Sequence, residues 1–138
     1  MTQSRPPVVA MPLRVRFHEC DPQGIVFNAH YLAYFDMASF EFFKAIFGSY
    51  DALRDQGVDC VVAESNLRYR APSRFDDELV VEVAIDHLGT TSMILAFTVR
   101  RGDDLIATGT NRYVFVDART LAKAAPPEDV RAKLLAHT

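Results

Sequence analysis

From Ala29 to Phe47 the chain carries apolar side chains all round a helical wheel. Leu32, Ala33, Tyr34, Phe35, Met37, Ala38, Phe40, Phe42, Phe43, Ala45, Ile46 and Phe47 are interrupted only by Asp36, Ser39, Glu41 and Lys44 after the first turn. A helix apolar on every side is either a membrane span or an element sunk in a larger soluble core. The uninterrupted runs here fall well short of the roughly 18 residues that a span requires. The rest of the chain must therefore wrap this helix, and a curved sheet is the element able to do so.

Both ends of the helix are marked. Asp21-Pro22-Gln23-Gly24 has Asp first, Pro second and Gly fourth, which suits a type I turn and reverses the chain just upstream. Asn28 is the expected N-cap, leaving other first-turn N–H groups free for an outside acceptor. Gly48 follows Phe47 where a left-handed residue ends a helix, so the element is roughly 27 Å long at about 1.5 Å per residue.

The wrapping strands read from their alternation. Leu13, Val15 and Phe17 alternate with Arg14, Arg16 and His18, predicting a first strand that ends near Glu19. After a short helical connector from Ser49 to Gln56, Cys60 to Arg70 is rich in β-formers, with Val61, Ala63, Ser65, Leu67 and Tyr69 expected on one face. Leu79, Val81, Val83 and Ile85 mark a third strand after Asp76-Asp77. Gly89-Thr90 reads as a hairpin turn into Ser92–Arg100. Arg101-Gly102-Asp103-Asp104 turns into a fifth strand, about Leu105 to Val116, where Gly109 marks a bend or a close approach. Pro126-Pro127 then breaks the chain, and Glu128 to Ala136 suits a short surface helix. The predicted class is α+β: a curled antiparallel sheet of about five strands round one long central helix. Such a sheet leaves strand edges and one wall of the helix uncovered. A homodimer with the helices side by side is therefore expected, and from it a homotetramer.

A chain of 138 residues suits a single domain over 1–138, with residues 1–7 a loose tail and 126–138 a helical tail. A net charge of -3 and a pI near 5.7 supply no basic field for nucleic acid or anionic lipid. Cys20 and Cys60 lie far apart in a chain without a secretory signal, which predicts free thiols and a cytoplasmic location. No metal-ligand spacing, phosphate-binding Gly-rich loop, nucleophile elbow or dinucleotide fingerprint is present, so neither metal nor cofactor is expected.

Residues 17 to 32, Phe-His-Glu-Cys-Asp-Pro-Gln-Gly-Ile-Val-Phe-Asn-Ala-His-Tyr-Leu, resemble the signature of the hotdog-fold acyl-CoA thioesterases, in particular the 4-hydroxybenzoyl-CoA thioesterase branch. The likeness continues through Leu67–Pro72, Phe75–Leu79 and Val114–Asp117. It implies hydrolysis of an acyl-CoA thioester, with coenzyme A as part of the substrate and Asp21 as the catalytic carboxylate. Aspartate is ionised at neutral pH and can attack a thioester carbonyl or activate a water. The Asn28 backbone N–H and its neighbours, at the positive end of the helix dipole, would hold the oxyanion.

Gly24, Phe27, His30 and Tyr31 are expected to line the substrate. Arg100 and Arg101 are expected to meet the coenzyme A phosphates, ahead of Arg74 and Lys123. Some members of the wider family carry His where this chain has Asn28; here the imidazole comes two residues later, at His30. Phe27, Tyr31, Tyr34 and Phe35 suit aromatic or short to medium aliphatic acyl groups alike. Two other readings accompany hydrolysis: a hotdog enoyl-CoA hydratase or dehydratase built on His30, and a non-catalytic acyl-CoA-binding module in which Asp21 merely caps its turn.

Overall fold

The fold comes from a computed structural model whose described residues are 6–138. Apart from Pro6 and Pro7, which are exposed, the tail expected over residues 1–7 lies outside them. Five strands, β1 (Val9–Arg14), β2 (Val58–Tyr69), β3 (Glu78–Leu88), β4 (Ser92–Arg101) and β5 (Asp104–Asp117), form one antiparallel sheet in the order β1-β3-β4-β5-β2. A long helix, α1 (His30–Phe47), crosses its concave face, and short helices α2 (Tyr50–Arg54) and α3 (Glu128–Leu135) flank it. This is the wrapped-helix arrangement that the resemblance implies.

Tyr31, Tyr34, Phe35, Ala38, Phe42, Phe43 and Phe47 form the buried stripe of α1. They pack on Val81, Val83, Leu95, Phe97, Val99 and Ile106, all at most 1% exposed. The deepest contact is at Phe35, whose ring stacks on Phe97 at 4.4 Å and 6°. It also covers Gly109, where a Cβ would stand 2.5 Å from Phe35 Cε2 and 2.4 Å from the Asn66 carbonyl oxygen. Gly109 thus marks a close approach. The opposite stripe of α1 is apolar but open, with Leu32, Met37 and Phe40 between 38% and 49% exposed. The sheet wraps one side of the helix, and the second wall remains uncovered, as expected of a curled sheet with open edges.

Gly48, at φ 90°, ends α1 and donates its N–H to the Lys44 carbonyl. The start of the helix differs from expectation. Ala29, not Asn28, holds the cap position, and no side chain caps it. The His30, Tyr31 and Leu32 N–H groups instead bond to the carbonyls three residues back, at 2.8, 3.4 and 3.2 Å. The chain enters by a tightened first turn that needs no side-chain acceptor.

β1 also ends earlier than its alternation suggested. Val15 is still paired with Asp77 at 2.9 Å, but Phe17–Glu19 is a 3₁₀ turn and Phe17 is 78% exposed. The Glu19 carboxylate accepts the Arg16 N–H at 2.8 Å and pulls the chain out of the sheet there. Because Val15 points its N–H inward at Asp77, just before β3, the missing donor of Pro12 falls on the outer side of this edge strand, where proline is tolerated.

β2 is the other edge, paired only with β5. A bulge between Val62 and Glu64 breaks its period of two, and residues 61–66 are exposed. The single face expected from Val61 to Tyr69 is therefore interrupted at the bulge, and of its residues Leu67 packs partly buried against the core. α3 buries Val130 and Leu134, so it packs on the core rather than lying free on the surface. No helix among the described residues is long and apolar enough to cross a membrane.

Gly109→Ala should destabilise the fold by about 2–3 kcal/mol, since the added methyl meets backbone as well as the Phe35 ring. Urea unfolding followed by far-UV circular dichroism checks this. A midpoint equal to that of the parent would mean that α1 does not rest on Gly109.

Candidate active site

The turn before α1 is a tight hairpin. The Asp21 N–H donates to the Ile25 carbonyl and the Gly24 N–H to the Asp21 carbonyl, both at 2.8 Å, with Gly24 at φ 79°. Cys20 bridges Val26, and the Phe27 N–H reaches the Glu19 carbonyl at 2.9 Å. The hairpin is joined to the loop after β2 by the Val26 N–H to Ser73 carbonyl bond at 2.8 Å and by an Ile25–Arg74 bridge.

Within this frame the Asp21 Oδ1 accepts the Gln23 N–H at 2.9 Å. Oδ2 makes no hydrogen bond among the described residues. The carboxylate is half-buried, and it lines a cavity of about 410 Å³ together with Gln23, Asn28, Tyr31, Tyr69 and Arg70. The N–H groups of Asn28 and Ala29 have no acceptor among the described residues. Asp21 and Asn28 therefore border a single space at a helix start, with the unpaired Ala29 N–H next in the chain, where the donors and the dipole favour developing negative charge.

Tyr69 builds the wall. Its hydroxyl donates to the Asn28 carbonyl at 2.9 Å, and its ring meets Tyr31 edge-on at 5.6 Å. Burial raises the Tyr31 pKa, so that hydroxyl stays protonated. Arg70 brings the cavity a positive charge that no acidic side chain among the described residues neutralises.

Of the residues expected at the site, Asp21, Asn28 and Tyr31 share this cavity. Gly24 shapes the turn without lining the cavity, and Phe27 is 49% exposed beside it. His30 faces the other way, with Nε2 3.4 Å from the Glu19 carboxylate and its ring 5.2 Å from that of Tyr34. Arg100 is paired with Glu82 at 3.2 Å. Arg101 donates to Asp77 at 3.1 Å and to the Pro72 carbonyl at 3.0 Å, bracing the cavity wall from behind.

Tyr69, Arg70 and Gln23 were not singled out by sequence reasoning. The signal for them was that Gln23 lies in the Asp21 turn and Tyr69 and Arg70 in Leu67–Pro72, both segments that carry the family resemblance. Cys20 and Cys60 are free thiols, and burial together with Asp59 pushes the Cys60 thiol up to about 12.

Residues 15–134 match the thioesterase-like superfamily, and the chain belongs to that family. It is 28% identical over 123 residues to the acyl-CoA thioester hydrolase YbgC of Escherichia coli, covering 88% of this chain and 92% of the relative. Among solved structures it is similar to a gentisyl-coenzyme A thioesterase, with a TM-score of 0.82, 26% identity and coverage of 91% and 99% of the two chains. A hypothetical protein of Thermus thermophilus gives a TM-score of 0.85 at 27% identity, covering 94% of this chain and 98% of that one. The architecture is the hotdog fold of these thioesterases.

Burial alone would raise the Glu19 pKa, but the Arg16 N–H, the Tyr34 hydroxyl and His30 together hold the carboxyl below the ordinary glutamate range. A folded value below the unfolded one means stabilisation that is present above about pH 5 and is lost as pH falls through the folded value. Glu19→Gln should accordingly unfold about 1 kcal/mol more easily at pH 7, and the difference should shrink towards pH 3. Urea midpoints at both pH values measure it; the same difference at each would rule out the charge as its source.

Proposed function

We propose that this protein is an acyl-CoA thioesterase in which Asp21 is the nucleophile or general base and the Asn28 N–H, with that of Ala29, holds the oxyanion. The observation that carries the reading is the cavity shared by Asp21 and Asn28, whose N–H is unpaired among the described residues, at the start of α1. Membership of the thioesterase-like superfamily, and relatives that are acyl-CoA thioester hydrolases, support the reaction class.

On the general-base route, Asp21 takes a proton from water as the water oxygen bonds to the thioester carbon. The carbonyl electrons move onto oxygen, beside the helix start. Collapse of that intermediate breaks the C–S bond, and coenzyme A leaves as a thiolate that takes up a proton. On the nucleophilic route, an Asp21 oxygen makes the first bond, the thiolate leaves, and water cleaves the resulting anhydride. Both routes use an ionised carboxylate and the same two donors.

A non-catalytic binding module has one observation in its favour, the Asp21 Oδ1 that caps its own turn through Gln23. Asp21→Asn separates the readings, because an amide oxygen can still accept that N–H while the charge is lost. Turnover should fall about 100-fold or more with the fold kept, read with a thiol-trapping dye on benzoyl-type, short-chain and long-chain CoA esters. Parental rates in that variant across the panel would remove Asp21 from the chemistry. Intact acyl-CoA bound for hours without product would favour the binding module. The hydratase reading finds less support, since the Glu19–His30 pair does not border the Asp21 cavity.

We infer further that two copies pair through β2, a long edge strand with exposed Val61 and Val62, bringing together the open stripes of α1. Homotetramers would follow from contacts between such pairs. Sedimentation equilibrium should return at least twice the 15.5 kDa chain mass, and a single-chain mass at micromolar concentration would refute the pairing.

A further inference from the structure

The chemistry of Asp21 leaves unused a carboxylate two residues upstream whose side chain is only 11% exposed. We propose that Glu19 is the positioning residue of this site: it fastens both the Asp21 turn and the chain entering Asn28 to one face of α1. In doing so it sets the gap in which the thioester carbonyl lies. The proposal rests on the hydrolytic reading of Asp21 given above.

Glu19 is held at both its side chain and its backbone. Oε1 accepts the Arg16 N–H at 2.8 Å and the Tyr34 hydroxyl at 2.7 Å, and Oε2 lies 3.4 Å from His30 Nε2. His30 and Tyr34 are four residues apart and therefore share a face of α1. Tyr34 is fully buried, so its hydroxyl is a fixed anchor. The Glu19 carbonyl meanwhile accepts the Phe27 N–H at 2.9 Å, one residue before Asn28. One residue thus ties the start of the hairpin, its end and the helix to a common point. Asp21 is two bonded residues from that point on one side, and the Asn28 N–H is one residue from it on the other.

Neither Glu19 nor His30 lines the cavity. Among the described residues no Lys or Arg side chain pairs with Glu19; its charge is met by neutral donors and His30, with His18 packed edge-on against His30 at 6.4 Å. A glutamine at 19 keeps the shape and the acceptor towards Tyr34 but not the charge. An alanine keeps only the backbone bond to Phe27. Since a displacement of about 1 Å between reacting groups can cost around 100-fold in rate, a loosened hairpin acts on turnover rather than on binding.

The test uses Glu19→Gln, Glu19→Ala and Tyr34→Phe in the full chain, with Asp21→Asn as control. Steady-state hydrolysis of benzoyl-CoA is measured alongside amide hydrogen exchange at Phe27 and Asn28. Glu19→Ala should lower kcat about tenfold or more with KM within about twofold, Glu19→Gln should fall between it and the parent, and the Phe27 amide should exchange faster in both. A role in stability alone would lower Tm while leaving kcat per folded molecule unchanged. Should Glu19→Ala fail to fold, Glu19→Gln and Tyr34→Phe carry the same comparison. The proposal is overturned if these variants keep kcat within twofold of the parent while Asp21→Asn is inactive, or if exchange at Phe27 does not change. Turnover retained by Asp21→Asn would instead defeat the hydrolytic reading, and exchange at Phe27 would still decide whether Glu19 holds the turn.

Discussion

The rest of the structure depends on how deeply α1 sits in the sheet, and that depth is set where Phe35 lies on Gly109. A residue without a side chain in the middle of β5 lets an aromatic ring reach the backbone, and Phe97 stacks on the same ring from β4. With α1 seated there, the stripe running from Tyr31 to Phe47 fills the concave face, and the start of the helix projects past the sheet beside the end of β2. The Asp21 hairpin closes against that start. Helix depth and site geometry are thus one constraint, transmitted through rigid close-packed aromatics.

The electrostatics of the site follow from where charge is satisfied and where it is left open. Glu19 is saturated with donors and held ionised, so it behaves as a fixed structural charge. Asp21 spends one oxygen on its own turn and keeps the other free. Arg100 and Arg101 are matched by Glu82 of β3 and by Asp77 just before it, whereas Arg70 faces the cavity unmatched. Two carboxylates two residues apart thereby stand in opposite surroundings, one saturated with donors and one with a free oxygen.

Much of this was legible in the chain, because it depended on neighbours in sequence. The Asp21–Gly24 turn and the stop at Gly48 each rest on the conformational limits of a few adjacent residues, and Gly109 was legible as a bend or close approach because a glycine inside a strand marks one. What was misread depended on partners distant in sequence or on local bonds that override a pattern. Phe17 continued the alternation of β1 on paper, yet the Glu19 carboxylate turned the chain first. Asn28 was a sound capping residue, but a tightened first turn left its side chain without that task. The period of two in β2 was broken by a one-residue bulge and by its place at the edge of the sheet. Arg100 and Arg101 could be read as cations at a hairpin end, while Glu82 and Asp77, which pair with them, lie on and just before another strand. Arg70 gained its place only once β2 and the hairpin were side by side.

The two borders of the sheet are not equivalent, and this bears on how large an assembly built by strand addition can become. β2 presents a long edge without proline, bulged between Val62 and Glu64, whereas the outer rim of β1 lacks a donor at Pro12. A neighbour docking by backbone pairing is therefore accepted at one rim and discouraged at the other. Copies joined rim to rim at β2 would present only proline-blunted margins, a stoichiometric stop that keeps a long β-ribbon from propagating into a filament.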